Sequence, residues 1–431
     1  MLALLLALQG MAPVQPADSL PQVTLVEALQ RAAQLDPNYV SALGQVDNAA
    51  WARGNAFAVF VLPSVTMSAN RQSTDPASFF FTDSLLRLKT TWSATINVRY
   101  DLFTGGQKFA ELARSGAALE GAHADELRQR FATALLTESD YYAVLQNTEL
   151  DRVARDRLRR AREQLGVARA RVSSGAAVST DSLNLRLEMT RALVAQLKQE
   201  SALRIARLEL GRRVGAAGPV DAAPLDTAPA PELPVSLADA ITEAARQGPD
   251  YRAAAANERA ASAAYRAELG NYLPHATLTY NKVSLGTRFY PGDLFKQSNL
   301  TLGISFPIWN NGQRELALSR ARVNKNVARV RRQDMDRAVQ HDVTAAYDAY
   351  VTARASADLA LQGLVVARES FRVQQTRYQS GATTILDLLD AEVNLSQAEA
   401  DLVQARYGTR LALAGLESIL GKRLFTDKGT P

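Results

Sequence analysis

Apolar and polar residues alternate strictly in two stretches of this chain. Trp92, Ala94, Ile96, Val98 and Tyr100 interleave with Ser93, Thr95, Asn97 and Arg99. Leu300, Leu302, Ile304, Phe306 and Ile308 interleave with Asn299, Thr301, Gly303 and Ser305. Period two places one set on each side of a strand, so both stretches predict strands with one apolar and one polar face. Their length, about nine residues, suits a tilted strand crossing a bilayer. Val65, Met67 and Ala69, and likewise Ala276, Leu278 and Tyr280, offer a shorter partner strand to each. Aromatic residues gather at the strand ends: Phe79, Phe80 and Phe81 at one loop, and Phe289, Tyr290 and Phe295 at the other. Tyr100, Phe103, Tyr272 and Trp309 mark the opposite ends. Two interfacial girdles would look this way; so would a soluble sheet with one buried face.

Elsewhere the period changes to that of a helix. No proline occurs between Pro76 and Pro219, or between Pro307 and Pro431, and both tracts are rich in good helix formers. Leu361, Leu364, Val365, Ala367 and Phe371 recur at helical spacing. One nearly unbroken helix is expected from Gly106 to Ser173, roughly 100 Å long at about 1.5 Å per residue. Such a length predicts an antiparallel, coiled-coil-like hairpin. The hairpin turns fall at Gly175 and Gly381, where glycine can end a helix in the left-handed region. After the second turn, Thr384 and Asp387 form a capping box; Val178 stands where Thr384 would be in the first, so its cap must differ. The returning helices, measured from Asp181 to Gly211 and from Asp387 to Gly421, differ by four residues. That difference is expected to act as a stutter.

These elements occur twice. Leu102-Phe103-Thr104-Gly105-Gly106-Gln107 returns as Ile308-Trp309-Asn310-Asn311-Gly312-Gln313, and Arg171-Val172-Ser173-Ser174-Gly175-Ala176 returns as Arg377-Tyr378-Gln379-Ser380-Gly381-Ala382. Gly106 and Gly312, Gly175 and Gly381, Tyr141 and Tyr347, and Asp181 and Asp387 share one offset of 206. Thr24 with Glu27 and Ser236 with Asp239 open each copy as helix starts, and Asp36-Pro37 and Leu62-Pro63 match Gly248-Pro249 and Leu273-Pro274. From Pro63 to Gly106 the spacing is five residues longer than from Pro274 to Gly312, a change expected in a loop. The organisation is thus a first repeat at 18–215, a Pro/Ala-rich linker at 216–234, a second repeat at 235–424 and a tail at 425–431. Residues 1–17 read as the apolar region and cleavage zone of a secretory signal peptide.

Composition narrows the chemistry. The 49 basic and 44 acidic residues are interleaved, which does not favour nucleic acid. The run Arg157-Leu158-Arg159-Arg160-Ala161-Arg162 reads as a solvated helix face. With no cysteine, thiol catalysis, disulfides, Cys-type zinc sites and an N-terminal lipid anchor are excluded. His123, His275 and His341 lie outside metal-ligand spacing, and no phosphate loop, nucleophile elbow or dinucleotide fingerprint occurs. No metal, cofactor or enzymatic activity is expected. If the strands are transmembrane, every backbone polar group must be paired, which only a closed barrel achieves. Four strands cannot close, since about eight is the minimum, so the chain would have to oligomerise.

The paired strand-to-helix joints, together with Arg377-Tyr378-Gln379-Ser380-Gly381-Ala382-Thr383-Thr384-Ile385-Leu386-Asp387-Leu388-Leu389-Asp390-Ala391, resemble the TolC family of outer-membrane efflux and secretion channels. The resemblance spans nearly the whole mature chain. It implies a mainly α fold with a small β part, in which three chains share a 12-stranded barrel in outer-membrane lipid and their helical hairpins form a periplasmic tunnel. It implies a passive exit duct for a tripartite pump or type I secretion system, working with a periplasmic adaptor (membrane fusion) protein and an inner-membrane transporter. Asp387 and Asp390 correspond to constriction acids, which in a trimer would form charged rings; Asp387 also serves the capping box. Asn184 stands opposite Asp390 in the first repeat. Tyr378, with Thr180 and Asp181 as partners, corresponds to a gate network. Where a family member carries a gate arginine this chain has Thr383. Arg171, Ser174, Gly175 and Ala176 of the first tip, and Arg377, Ser380, Gly381 and Ala382 of the second, correspond to adaptor-docking grooves. A soluble periplasmic coiled-coil adaptor is the alternative; it accounts for the helices and tips but not for the strands.

Overall fold

The computed structural model describes residues 20–79, 87–225, 230–286 and 295–425. In chain order its elements are β1 (Gln22–Val23), α1 (Leu25–Leu35), α2 (Pro37–Val61), β2 (Ser64–Phe79), β3 (Arg87–Thr104), α3 (Gln107–Ser173), α4 (Ser179–Arg213), β4 (Asp221–Ala222), α5 (Leu237–Gln247), α6 (Pro249–Gly270), β5 (His275–Gly286), β6 (Phe295–Ser305), α7 (Gln313–Gln379) and α8 (Ile385–Leu420). The order from α1 to α4 is repeated from α5 to α8. Both long helices contain 67 residues, matching the expected span from Gly106 to Ser173. Two compact units divide the described residues, and each takes segments from both repeats.

One unit draws on residues 41–127 and 243–340 and contains a four-stranded antiparallel sheet ordered β2-β3-β5-β6. Its register puts Val65, Val98, Tyr280 and Leu300 in one row across all four strands, with Tyr100, Leu278 and Leu302 alongside. The opposite face carries Thr66, Asn97, Asn281 and Asn299, in which Asn97 Nδ2 donates to Asn281 Oδ1 at 2.5 Å. At this end of the sheet each face is chemically uniform, as the alternation predicts; further along, Ile96 stands opposite Lys282 and Ser93 opposite Leu285, so the faces mix. The apolar face is not covered within the chain: Met67, Leu300, Leu302 and Ile304 are all more than 60% exposed. A soluble sheet would bury this face. Strands β2 and β6 are edge strands, each with one side unpaired among the described residues.

The extra residues of the first strand pair correct the expectation of a longer loop. Strands β2 and β3 have 16 and 18 residues, against 12 and 11 in β5 and β6. A register shift lies between Ser73 and Ser78, and a second between Asp101 and Phe103 leaves Leu102 unpaired beside the joint. Gly105 and Gly106 have φ of 60° and 86°, and their counterparts Asn311 and Gly312 have 57° and 75°. Two successive left-handed residues thus turn strand into helix in both repeats, a geometry that glycine and asparagine tolerate best. At Gly105 a Cβ would also lie 2.2 Å from the Gly270 carbonyl oxygen, so α6 packs directly on this joint. Cations stack on aromatic rings nearby: Lys108 over Tyr100 at 4.4 Å and Arg314 over Tyr272 at 4.1 Å. Phe295 and Trp309 are exposed at the ends of the second strand pair. The side chains of Phe79–Phe81, Phe289 and Tyr290 lie outside the described residues, as do residues 1–17.

The other unit holds β1, α1, β4 and the hairpins from Arg128 and His341 onward. Its core joins Val23, Tyr141, Tyr142, Leu203, Leu210, Val220, Val403 and Tyr407. The predicted linker is partly structured: β4 pairs in parallel with β1, and Tyr141 donates to the Ala223 carbonyl at 2.7 Å. Burial pushes the Tyr141 hydroxyl up to about 12. Its repeat mate Tyr347 donates to the Val235 carbonyl at 3.5 Å. The expected stutter is absent. The left-handed residue ending α4 is Gly215 (φ 70°), and Gly421 (φ 68°) ends α8 at the same distance from Asp387 as Gly215 from Asp181. Gly211 lies inside α4, where a Cβ would meet the Gly218 carbonyl oxygen at 2.2 Å; its glycine serves close packing, not termination.

Candidate functional site at the hairpin tips

The tips are built by local chain chemistry. Gly175 and Gly381 adopt φ of 78° and 80°, and in each turn the next residue's N–H reaches back to an arginine carbonyl: Ala176 to Arg171 and Ala382 to Arg377, both 2.8 Å. Ser174 and Ser380 each donate to the same arginine carbonyl at 3.0 Å. The small residues are thus required by the turn. Restarting the chain differs between copies. Thr384 accepts from the Asp387 N–H, and the Asp387 carboxylate accepts from the Thr384 N–H, a reciprocal capping box. That carboxylate also accepts from the Thr384 and Thr383 hydroxyls, at 2.6 and 2.8 Å. These donors hold Asp387 below the ordinary carboxylate range. Val178 caps α4 without any side-chain bond.

Asp390 is exposed one turn further along α8 and accepts from Asn394 Nδ2 at 3.2 Å. Asp387 is exposed as well. Neither acid is consumed by an ion pair among the described residues, so both present charge outward from α8. Tyr378 is only 3% exposed, with its ring in the cluster of Leu165, Leu185, Phe371, Ile385 and Leu388. Burial and the nearby Asp181 carboxylate raise its pKa. No atom meets the buried Tyr378 hydroxyl at hydrogen-bond geometry; the carboxylate acts on it by proximity. Thr180 is exposed and does not bond Tyr378. The structure therefore brings Asp181 to Tyr378 but leaves Thr180 aside.

Two groups stand out that the pattern did not assign to this place. Arg171 reaches from the first hairpin to the second: its guanidinium donates to the Tyr378 carbonyl and lies 4.9 Å over the Tyr378 ring. Below the tips, the arginine run of α3 is not a uniform solvated face. Arg159 is well exposed, but Arg160 is largely buried and bonds Glu392 Oε1 at 2.9 Å and Glu399 Oε2 at 3.4 Å. Arg157 bonds Glu188 at 2.5 Å. Helical spacing carries the signal, since Arg157, Arg160 and Gln164 share the face that holds buried Ala161 and Ala168. Burial raises the Glu392 carboxyl, against the lowering influence of Arg160.

An uncovered apolar sheet with open edges, joined twice to long helical hairpins, defines the class of channel-forming proteins that complete a β-barrel by association. The family described as outer membrane efflux protein matches residues 28–216 and 240–422, and the chain belongs to it. The pyoverdine export outer membrane protein OpmQ of Pseudomonas putida is 26% identical over 369 residues, which is 80% of this chain and 73% of that protein. The Campylobacter jejuni CmeC outer membrane channel shares the fold at a TM-score of 0.79 and 15% identity, covering 94% of this chain and 87% of that one. VceC of Vibrio cholerae aligns at a TM-score of 0.78 and 16% identity, with 93% and 97% covered. The chain is thus an efflux protein of the outer membrane, extending into the periplasm.

Proposed function

We propose that three copies of this chain form one passive exit duct, closed at its periplasmic end by the hairpin tips. The four-stranded sheet with an exposed apolar face and two open edges carries this reading. Lipid allows no unpaired strand edge, and three copies supply 12 strands, enough to close a barrel with a polar lumen wall. A second surface agrees. Leu183, Leu187, Val194, Leu197, Ile205 and Leu208 of α4 are exposed and fall on one narrow helical stripe, a seam that a helix of another copy would cover.

In the trimer, Asp387 and Asp390 form two levels of negative charge at the constriction, favouring cations over anions. Tyr378 and Asp181 belong to the gate. The tips from Arg171 to Ala176 and from Arg377 to Ala382 receive a periplasmic adaptor, whose backbone can approach the small residues closely. Energy comes from an inner-membrane transporter, and the duct performs no covalent chemistry. The adaptor alternative leaves the exposed apolar sheet without purpose.

The test is the absolute mass of the detergent-extracted particle. The chain is 46.7 kDa, so a trimer gives about 140 kDa before signal removal. A trimer released only by detergent is expected. A monomer or dimer in the salt-soluble periplasmic fraction would refute the duct.

A further inference from the structure

Arg160 belongs to a cluster of six charged residues that involves all four hairpin helices. Arg157 and Arg160 come from α3, Glu188 from α4, Arg368 from α7, and Glu392 and Glu399 from α8. Three cations thus meet three anions. Arg160 is the link between hairpins: two of its nitrogens bond the second hairpin, and its guanidinium stands 5.9 Å over the Phe371 ring of α7. The Glu392 side chain is 1% exposed. An ion so deeply buried has no water to turn to, so removing its partner is costly.

The Arg160–Glu392 pair at its centre is not part of what makes a hairpin. At an offset of 206, the position equivalent to Arg160 is Val366 and the one equivalent to Glu392 is Arg186, both exposed. A pair needed to build each hairpin would recur in both copies, whereas this one exists only where the first hairpin meets the second. The same interface holds polar groups that gain from separation. Both amide atoms of Gln164, which lies between Arg160 and Arg171 on one stripe of α3, are buried without a partner. Parting the hairpins would expose them to water, which lowers the cost of opening. The interface therefore combines a strong specific tie with groups better satisfied when it opens, as a two-state contact requires.

We propose that the buried cluster of Arg160 with Glu392 and Glu399, seconded by Arg171 on Tyr378, is the latch that holds the gate shut in this channel. An ion-pair latch then exists without a tip arginine at Thr383: it lies deeper, inside the protomer. The proposal rests on the duct reading.

Two readouts on the intact detergent-purified protein test it. Single-channel conductance in planar bilayers reports the gate, and hydrogen exchange reports separation of the hairpins. Arg160→Met keeps an apolar stem but removes the cation that Glu392 and Glu399 share. It should raise conductance several-fold and speed exchange at residues 160–185 and 376–391. Arg160→Met combined with Glu392→Leu replaces the pair with apolar packing and should return both readouts toward wild type. Unchanged conductance in Arg160→Met, with the trimer intact, would overturn the latch, whether or not exchange rises; a rise in exchange alone would mark the cluster as structural. Absence of current from wild type and every variant, with no trimer, would overturn the duct itself and the gate with it.

Discussion

At the first tip Arg171 sends its guanidinium across to Tyr378, whereas Arg377, its repeat mate, makes only a 3.4 Å contact with the Ala382 carbonyl of its own turn. The second tip has the full capping box and a fully buried Leu388; the first has an uncapped Val178, and Ser182 where Leu388 would be. The turn itself is the same in both, down to the glycine φ and the serine bond to the arginine carbonyl. Duplication has preserved the turn and released everything around it. Across the contact the first hairpin supplies Arg160 and Arg171, and the second supplies Tyr378, Glu392, Glu399 and the buried Leu388. A contact between two unlike surfaces can be specific in a way that contact between identical copies cannot.

The largest test of this division removes packing. Leu388→Ala empties a fully buried site and should destabilise the solubilised particle by about 2–5 kcal/mol, whereas Ser182→Ala in the first copy should fall within about 0.5 kcal/mol. Denaturant midpoints of the two variants check this; equal effects would mean that the tips share one core. The next effect is the crossing arginine. Arg171→Ala loses a hydrogen bond and a cation–π contact, together about 1–2 kcal/mol, but Arg377→Ala should be nearly neutral. Adaptor binding sharpens the comparison if both variants are assayed, because Arg171 is already engaged within the chain and Arg377 is left available.

Much of this was legible in the sequence, for reasons that particular residues show. The long helices follow from unbroken periodicity, and α3 begins one residue after the predicted Gly106. Alternation through Trp92 to Tyr100 fixed the faces of β3, because period two leaves no choice of side. The capping box at Thr384 and Asp387 is a local signal and appears as predicted. Misreadings came where a residue type has two uses. By pattern Gly211 pairs with Gly421 as a helix end, but it is a close-packing glycine, and Gly215 is the true terminus. Composition makes the arginine run a solvated face, but its side at Arg157, Arg160 and Gln164 is turned inward. Partners such as Glu392 are 232 residues away, a pairing that only the folded hairpins create. The pairing of β1 with β4, two residues each, is too short to leave a pattern.

Capping gives a smaller and reciprocal test. Thr384→Ala should cost about 1 kcal/mol, since it removes a hydroxyl that serves both the Asp387 N–H and its carboxylate. In the first copy Asp181 already occupies the third helical position. Val178 is exposed and its backbone is extended, so Val178→Thr should complete a capping box and stabilise α4 by up to about 1 kcal/mol. Thermal midpoints moving in opposite directions would show that the two tips differ by one hydroxyl; a null result at Val178→Thr would place the difference in tertiary contacts.

The smallest effect is a pH dependence, and its sign separates two acids on the same helix. Asp387 is held below its usual 3.8 by hydrogen bonds from Thr384 and Thr383. A carboxylate depressed in the folded state favours folding above its unfolded pKa, and that contribution is lost as pH falls through the folded value. Glu392, five positions along α8, behaves oppositely. Burial raises its pKa, so its contribution is fully present below its unfolded value and declines as pH rises through the folded one. Asp387→Asn should therefore be less stable than wild type at neutral pH, and the gap between them should close as pH falls below 3.8. Glu392→Gln should show no narrowing in that acid range, because its carboxyl is already protonated in the folded state there. Melting temperatures of the three proteins from neutral pH to about pH 2 decide the matter. A gap for Asp387→Asn that persists at the acid limit would mean that the cap works through hydrogen bonds that do not need the charge, and the outward negative field assigned to Asp387 would then have to be sought at Asp390 alone.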